Sequence, residues 1–336
     1  MPGNPDEISV FRSFRAFRAR TSYELTKLIA AAGALGFTAF AGEAWAEQGN
    51  TPYLPGVSVG IPIGALPPPG FYASDNNVII NGGLKDGSGN STKFPLNSNV
   101  NAYLNIPSLL WSPTWQPLGF MNATIAFDLV EPYVQQSFAG VVTPPTASGF
   151  FNTIIGANVS WNYHPFFFKV GLGVYLPDGD WQSGIANNYA TFEPDFAVSW
   201  LSEGWNLTAH AIFDFQLEDT HAHYQSGDLF FLDLTAGKSF GKWSTGIGGN
   251  YTQQLQNDKL TSSTACAALG QGGSSCVVPA IPGLRTSGNQ LQKILVGPYL
   301  GYNFGPAEIN AKVLAGVHAE NGFNATFYHV GFSFPF

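Results

Sequence analysis

Apolar and polar residues alternate one by one along most of this chain. In the clearest stretch, residues 205–218, Trp205 begins an apolar face at every odd position, while His210 and Asp214 lie on the opposite face. A period of two places successive side chains on opposite faces of a β-strand. A membrane-spanning strand is apolar on its lipid face, and at about 3.3 Å per residue this stretch is long enough to cross a bilayer at a tilt.

Twelve segments share this pattern, and each is predicted to be a strand whose apolar face meets lipid. They cover residues 76–84, 100–106, 123–129, 155–161, 168–176, 192–200, 205–218, 230–236, 243–256, 290–304, 308–320 and 326–336. In the second segment, the face assigned to lipid consists of Val100, Ala102, Leu104 and Ile106. A packed protein core is the alternative environment for these apolar faces.

The connections between the segments alternate in length. Short ones carry Pro or Gly and lie near residues 162–165, 201–204, 240–242 and 304–307. Long ones are rich in Gly, Pro, Ser, Thr and Asn and lie near residues 133–150, 177–190, 219–227 and 257–289. Outer-membrane barrels have short periplasmic turns and longer external loops. The sequence therefore predicts an all-β fold, a transmembrane antiparallel β-barrel of about 12 strands over residues 73–336. Two connections do not fit this alternation: 108–118 is long for a periplasmic turn, and 321–325 is short for an external loop.

The N-terminus has the features of a secretory signal peptide, predicted to cover residues 1–46. Basic residues precede an apolar stretch at 28–40, which is too short to span a bilayer as a helix and is followed by Ala44 and Ala46 at a cleavage site. Residues 47–72 are rich in proline, which cannot donate to the ladder of a sheet interior. We therefore predict that this segment lies outside the wall or within the lumen, as a possible plug.

Composition narrows the class of protein further. Charged residues make up 11% of the chain, against about 25% in soluble domains, while aromatic residues reach 15%. Low charge combined with many aromatic residues favours a sheet that lies against lipid. The net charge of -8 argues against nucleic acid as a partner.

The last strand ends in aromatic and apolar residues at every second position, and Phe336 is the final residue. A terminal strand ending in Phe is typical of proteins delivered to the outer-membrane assembly machinery, although a soluble sandwich could also end in such a strand. With the leader and the alternation, it favours the bacterial outer membrane as the location. The predicted partners are outer-membrane lipid, lipopolysaccharide and the assembly machinery, which would bind the Phe336 strand.

Cys266 and Cys276 are the two cysteines of the chain and lie in a Gly- and Ser-rich stretch. Because the chain is predicted to be exported, a disulfide that closes a surface loop is the favoured state. A metal pair is the alternative, but a metal site needs three or four ligands and no histidine lies nearby in the sequence.

Short motifs at residues 66–72, 175–180, 224–228, 251–258 and 295–299 resemble, in order and spacing, those of the MetA-pathway of phenol degradation family. The resemblance covers roughly residues 66–336. It implies an outer-membrane barrel for the uptake of aromatic or other hydrophobic molecules, with a related branch linked to sphingosine response. It supplies no catalytic or binding residues that could be transferred to this chain.

The faces opposite the apolar ones carry the candidate lumen residues. These are Asp128, Lys169, Glu193, Asp195, His210, Asp214, Asp233, Tyr299, Lys312 and His329. Glu218, Lys293 and His318 are assigned to the same inward faces, as are Tyr103 and Tyr175. Charges of both signs inside a barrel bind a solute, hydrate a pore or pair with one another as internal packing. Asp195, His210 and Asp214 lie on neighbouring predicted strands and form the first choice for a central site.

The predicted function is a channel for passive uptake of small hydrophobic, aromatic compounds, without a cofactor and without catalysis. The alternative is a structural or stress-response barrel with a closed lumen. A third hypothesis, a lipid hydrolase at the rim, needs a nucleophile and a base facing outward, whereas His210 and His329 are predicted to face inward. His221 and His223 lie in a long loop beside Glu218 and Asp219, but two histidines in a solvated loop do not by themselves make a metal site. Trp161, Trp200, Trp205 and Trp243 are predicted to form an interfacial belt beside the short turns.

Overall fold

The computed structural model describes residues 51–92, 98–115, 123–139, 146–277, 290–305 and 307–336. The predicted signal peptide, residues 1–46, lies outside these ranges. No helix in the described part of the chain is long and apolar enough to cross a membrane.

The strands form one antiparallel sheet that closes on itself, because β1 pairs with β2 on one edge and with the last strand on the other. In chain order the wall strands are β1 (Gly70–Leu84), β2 (Asn99–Ser112), β3 (Thr124–Val130), β4 (Tyr133–Ala139), β5 (Thr146–Phe150), β6 (Ile154–Tyr163), β7 (Phe166–Tyr175), β8 (Thr191–Ser202), β9 (Trp205–Gln216), β11 (Leu229–Phe240), β12 (Trp243–Gln254), β15 (Gln292–Asn303), β16 (Glu308–Glu320) and β17 (Phe323–Pro335). Counting β3 with β4 and β5 with β6 as two interrupted strands gives twelve, which confirms the predicted barrel.

The two interruptions lie side by side. Pro132, between β3 and β4, has no N–H to donate to the ladder, and its carbonyl accepts from the backbone of Phe151 at 2.8 Å. The hydroxyl of Thr153, between β5 and β6, donates to the Glu131 carboxylate at 2.7 Å. Because the chain is interrupted between β3 and β4, β2 has two partners on this edge: it pairs with β3 over one half of its length and with β4 over the other.

Tight turns and long loops are segregated to opposite ends of the barrel, as the sequence predicts. At the tight end, Glu203 and Gly204 turn β8 into β9 with positive φ angles of 51° and 80°. At the other end a small sheet, β10 (Tyr224–Gln225), β13 (Lys259–Leu260) and β14 (Cys276–Val277), packs with the helix α1 (Ser263–Ala268). The predicted disulfide between Cys266 and Cys276 is present there.

The two connections of unexpected length have simple explanations. β2 continues to Ser112, so part of the presumed turn 108–118 is strand. β16 and β17 are joined by Asn321 and Gly322 alone, with Asn321 in the left-handed region at φ 52°.

Most of the outer wall is apolar, as expected for a surface in lipid. Leu172, Phe196, Leu207 and Val330 are between 42% and 50% exposed on this face, and their strand neighbours face the lumen. Trp205 and Trp243 lie beside the tight turns, where the amphipathic indole ring favours the membrane interface.

The orientation of β2 corrects the sequence-based assignment. Val100, Ala102, Leu104 and Ile106 face the lumen, not lipid, and Tyr103 faces outward with 37% of its surface exposed. Apolar side chains inside the barrel, described below, contact this inner face. The outward polar groups satisfy one another: the Asn105 amide donates to Asp75 at 2.8 Å, and the Tyr103 hydroxyl donates to Asn77 at 2.5 Å.

Candidate functional site

The segment before β1, residues 51–69, lies against the inner wall of the barrel. Val59 packs with Val78, Leu295 and Leu314 in one apolar cluster, and Tyr53 packs with Phe231 in a second. Short-range backbone hydrogen bonds turn the segment on itself, such as Val57 N to Leu54 O at 3.1 Å and Val59 N to Gly56 O at 3.1 Å. We refer to residues 51–69 as the luminal segment.

Gly56 allows the luminal segment to approach the wall closely. Its φ of +80° favours glycine, and a Cβ at this position would clash with the Leu314 side chain on β16. A larger residue would therefore separate the segment from the wall.

Asp233 on β11 is the main polar anchor of the luminal segment. Its carboxylate accepts hydrogen bonds from the Tyr53 hydroxyl at 2.7 Å, the Gly56 N–H at 3.1 Å, and the Ser58 N–H and hydroxyl at 3.2 and 2.8 Å. The Asn250 side chain on β12 donates to it at 2.7 Å. A buried carboxylate with five donors is well satisfied, and four of these donors belong to the segment.

Other wall residues hold the segment along its length. The Lys312 ammonium on β16 donates to the carbonyl oxygens of Val57 and Val59 at 2.5 and 2.8 Å. Asp214 accepts from the Tyr53 N–H at 3.2 Å, and the Ser199 hydroxyl accepts from Gly64 N–H at 3.0 Å. Both anionic and cationic side chains of the wall therefore bind the segment.

Lys169, Asp195 and His210 form a chain of polar contacts that ends on the luminal segment. Lys169 Nζ lies 2.6 Å from Asp195 Oδ1, and the same oxygen lies 2.9 Å from His210 Nε2. His210 Nδ1 lies 3.1 Å from Ser58 Oγ. The neighbouring strands thus bring Asp195 and His210 together, whereas Asp214 contacts Tyr53.

Ser58, His210 and Asp195 are in contact in the same order as the serine, histidine and aspartate of a hydrolase triad. The hydrogen bonds differ from those of an activated serine. The Ser58 hydroxyl donates to Asp233, so its proton is not directed at the imidazole. A general base must accept the proton of its nucleophile. The geometry fits positioning of Ser58 within the segment.

Of the remaining candidate residues, Asp128 adjoins this chain of polar contacts through Asn158, which accepts from Lys169 at 3.0 Å, and the others lie elsewhere in the lumen. Asp128 accepts from the Asn158 amide at 2.5 Å, and Glu193 accepts from the Tyr175 hydroxyl at 2.7 Å. Tyr299 is buried in the Val59 cluster, and His329 is buried against Phe327 with ring centroids 6.3 Å apart.

Two residues assigned to the inward faces lie elsewhere. Glu218 follows the end of β9 and accepts a hydrogen bond from Thr261 in the loop region. His318 lies near the external rim, with Nε2 3.1 Å from the side-chain oxygen of Gln292. Both assignments are wrong, because β9 ends at Gln216 and because the β15–β16 pairing shifts register at Ile294, which changes the face on which His318 lies.

A cavity of about 640 Å³ lies between the luminal segment and the wall. Its apolar lining combines Leu54 and Ile61 of the segment with the inner faces of β1, β2 and β17, including Ile80, Leu104 and Phe327. Polar residues are the minority of its lining, and those with ionisable side chains include Asp128, Lys169, Glu193, Asp195, His210, Lys293 and Glu308. Ligand sites commonly combine an apolar wall with a small number of polar groups.

His221 and His223 do not form part of this cavity. The ring of His221 packs edge-on against Trp181 with centroids 5.2 Å apart, and His223 is largely exposed. Within the described ranges, no group of three or more His, Cys, Asp or Glu side chains is arranged to hold a metal ion.

Sequence reasoning did not identify Tyr53 and Ser58 as partners of the lumen carboxylates. The proline content of their segment predicts only that it stays out of the sheet. The signal that remains in hindsight is the excess of inward acidic residues, Asp214 and Asp233 among them, over inward basic ones. Such an excess requires donors from elsewhere in the chain.

One protein family and one solved outer-membrane channel agree with this architecture. The family described as MetA-pathway of phenol degradation matches residues 83–329. The COG4313 outer membrane channel from Pseudomonas putida F1 superposes with a TM-score of 0.64 and 12% identity, over 81% of this chain and 97% of that one. The translocator domain of autotransporter NalP from Neisseria meningitidis gives a TM-score of 0.47 with 9% identity, over 98% and 99% of the two chains. No curated protein matches the sequence.

Proposed function

Since this chain belongs to the MetA-pathway of phenol degradation family and folds as a bacterial outer-membrane β-barrel, we propose that it is a channel for passive uptake of small hydrophobic, aromatic compounds. The solute would enter from the long loops, occupy the cavity and leave toward the periplasm without covalent change. No residue acts as a catalyst in this proposal.

The observation that supports this proposal is the apolar character of the inner faces of β1 and β2. A lumen for hydrophilic solutes would be lined by polar groups, and the usual barrel wall is polar inside and apolar outside. Here Ile80, Val100, Leu104 and Ile106 face the cavity, while Asn77 and Asn105 face outward. Around these residues the usual polarity of the wall is therefore reversed in a way that favours apolar contents in the lumen, whereas Leu109 and Trp111 of β2 face outward.

Residues 47–72 are proposed to act as a plug. The described part of this segment occupies the lumen and is anchored at Asp233 and Lys312. Displacement of the segment would widen the route, and its apolar side chains already form one wall of the cavity. Solute passage and segment movement are therefore expected to be coupled.

The test uses entry of an uncharged aromatic dye, N-phenyl-1-naphthylamine, into intact Gram-negative cells that express the protein. The outer leaflet of such cells slows the dye, and its fluorescence rises on reaching an apolar environment. We expect faster entry with the wild-type protein than with an empty vector. Ala102→Trp, which fills the cavity from β2, should abolish the increase.

Ala311→Trp is the matched control, because Ala311 is exposed on the outer face of β16 and the same substitution there leaves the cavity unchanged. We expect this variant to retain the wild-type rate at equal amounts of folded protein in the outer membrane. Equal dye entry with and without the wild-type protein would refute the proposed uptake.

A closed-lumen structural barrel is the second candidate function. One observation favours it: Lys169 and Asp195, together with Asp233 and its donors, are paired within the protein. Such a network stabilises a narrow barrel without any ligand. The dye experiment discriminates between the two, since a closed barrel gives no increase for either the wild type or Ala311→Trp.

A further inference from the structure

Lys293 is a buried cation between two apolar clusters. It faces the lumen from β15 and is 3% exposed. Two residues before it, Leu291 packs with Tyr53 and Phe231, and two residues after it, Leu295 packs with Val59 and Phe327. Its cross-strand neighbours are Thr252 and Ala319, which supply no charge.

The other two buried lysines of the lumen have clear partners. Lys169 pairs with Asp195 at 2.6 Å and donates to Asn158 at 3.0 Å. Lys312 donates to two carbonyl oxygens of the luminal segment. In the described part of the chain, the ammonium of Lys293 has neither an ion pair nor a hydrogen bond with a protein group. Burial of a charge is costly unless the charge is paired. An anionic partner from outside the protein would therefore stabilise the ammonium of Lys293.

Lys293 also lines the cavity, together with Leu54, Phe323 and Phe327. Of the lysines that line the cavity, Lys169 is paired with Asp195 and Lys293 is not. A ligand in this cavity therefore meets mostly apolar surface and, at its external end, the unpaired ammonium of Lys293, because β15 begins at Gln292 beside the long loops. An uncharged hydrocarbon would leave the ammonium unpaired. A carboxylate attached to an apolar tail would pair with the Lys293 ammonium and also fill the apolar part of the cavity.

The geometry points to Lys293 as a binding site for the carboxylate of an amphipathic acid whose aromatic or aliphatic tail fills the apolar cavity. This assignment rests on the proposed uptake function and gives it a substrate class, small hydrophobic carboxylic acids. Lys293 acts as a specificity-determining residue, and the segment residue Leu54 and the β17 residue Phe327 contact the tail.

The assignment is tested by binding of two compounds with the same tail, 4-phenylbutyrate and 4-phenyl-1-butanol. Isothermal titration calorimetry is carried out near pH 7.5 on the full barrel in lipid nanodiscs, with empty nanodiscs as the blank for partition into lipid. A charge-assisted hydrogen bond in a buried site should favour the acid on the order of tenfold or more. In Lys293→Met, which keeps the chain length without the charge, the two compounds should bind equally.

Lys293→Arg should retain the preference for the acid. Lys238→Met is the matched control, because the Lys238 ammonium lies 4.8 Å above the Trp205 ring outside the cavity. It should retain the preference as well. The shift in electrophoretic mobility between unheated and heated samples confirms that each variant is folded.

The wild-type comparison does not depend on any variant. Equal affinity of the wild type for acid and alcohol would overturn the role of Lys293 and would mean that its side chain is hydrated or neutral. The proposed uptake of hydrophobic compounds would still stand. Binding of neither compound would defeat the apolar cavity as a ligand site, and the proposed function with it. A preference for the acid that survives in Lys293→Met would place the anion site elsewhere.

Discussion

Asp233→Asn is expected to release the luminal segment from the wall. The carboxylate accepts four hydrogen bonds from the segment, two of them through the Ser58 N–H and hydroxyl. An asparagine keeps the volume but places an N–H₂ group where one carboxylate oxygen accepts, and it removes the charge from the bonds that survive. Hydrogen bonds to a charged group contribute about 1.5–3 kcal/mol each and neutral ones about 0.5–1.5 kcal/mol.

A loss of about 1 kcal/mol for each of the four bonds gives roughly 4 kcal/mol, and non-additivity within one network reduces this to about 3 kcal/mol. Such a change in free energy shifts a two-state equilibrium on the order of a hundredfold toward the displaced segment. In planar lipid bilayers, the ratio of the time that single barrels spend in a high-conductance state to the time they spend closed should rise by that factor.

Asp128→Asn is the matched control, since the Asp128 carboxylate accepts from Asn158 on the neighbouring strand β6 and the chemical change is the same. Its conductance should resemble that of the wild type. Deletion of residues 50–68 gives the conductance of the fully open barrel. The reasoning fails if Asp233→Asn opens no more often than Asp128→Asn, or if the deletion leaves the conductance unchanged.

Two further predictions concern the wall. Val170→Arg places a cation on the lipid face in the middle of β7 and should destabilise the barrel by about 2–4 kcal/mol in urea unfolding from vesicles, whereas Asn105→Arg should cost less because Asp75 is available to pair with it. Similar costs for both variants would contradict the polar character of this outer face. Deletion of Phe336 should lower the amount of folded protein in the outer membrane, measured by membrane fractionation and heat-modifiable mobility, and an unchanged amount would contradict its role in assembly.

Most of the wall could be predicted from the sequence because its information is local. A period of two over about ten residues identifies a strand without knowledge of its neighbours, and the lengths of the connections identify the two ends of the barrel. The strand from Trp205 to Gln216 follows this pattern over its whole length. The predicted long connection 133–150 is wrong where β4 and β5 lie, because each of these strands is too short to show a clear alternation.

The contents of the lumen could not be predicted in the same way, because they depend on pairings between distant residues. Asp195 and His210 lie on adjacent strands, and their contact follows from register. The contacts of Asp233 with Tyr53 and Ser58 join residues more than 170 positions apart. Sequence reasoning likewise gives Lys169 and Lys293 the same inward position and cannot tell which of them has a partner.

β2 shows why alternation alone does not determine the direction in which a strand faces. Its pattern defines an apolar face with Leu104 and a polar face with Asn105, and either could have met lipid. The choice depends on the luminal segment, whose Leu54 and Val59 pack in the cluster against which Leu104 and Ile106 lie. With an apolar filling inside, burial of the apolar face in the lumen offsets the cost of polar groups outside, and those groups reduce that cost by bonding to one another. The reversed polarity of this part of the wall and the apolar cavity therefore have one cause, and removal of the luminal segment should weaken both.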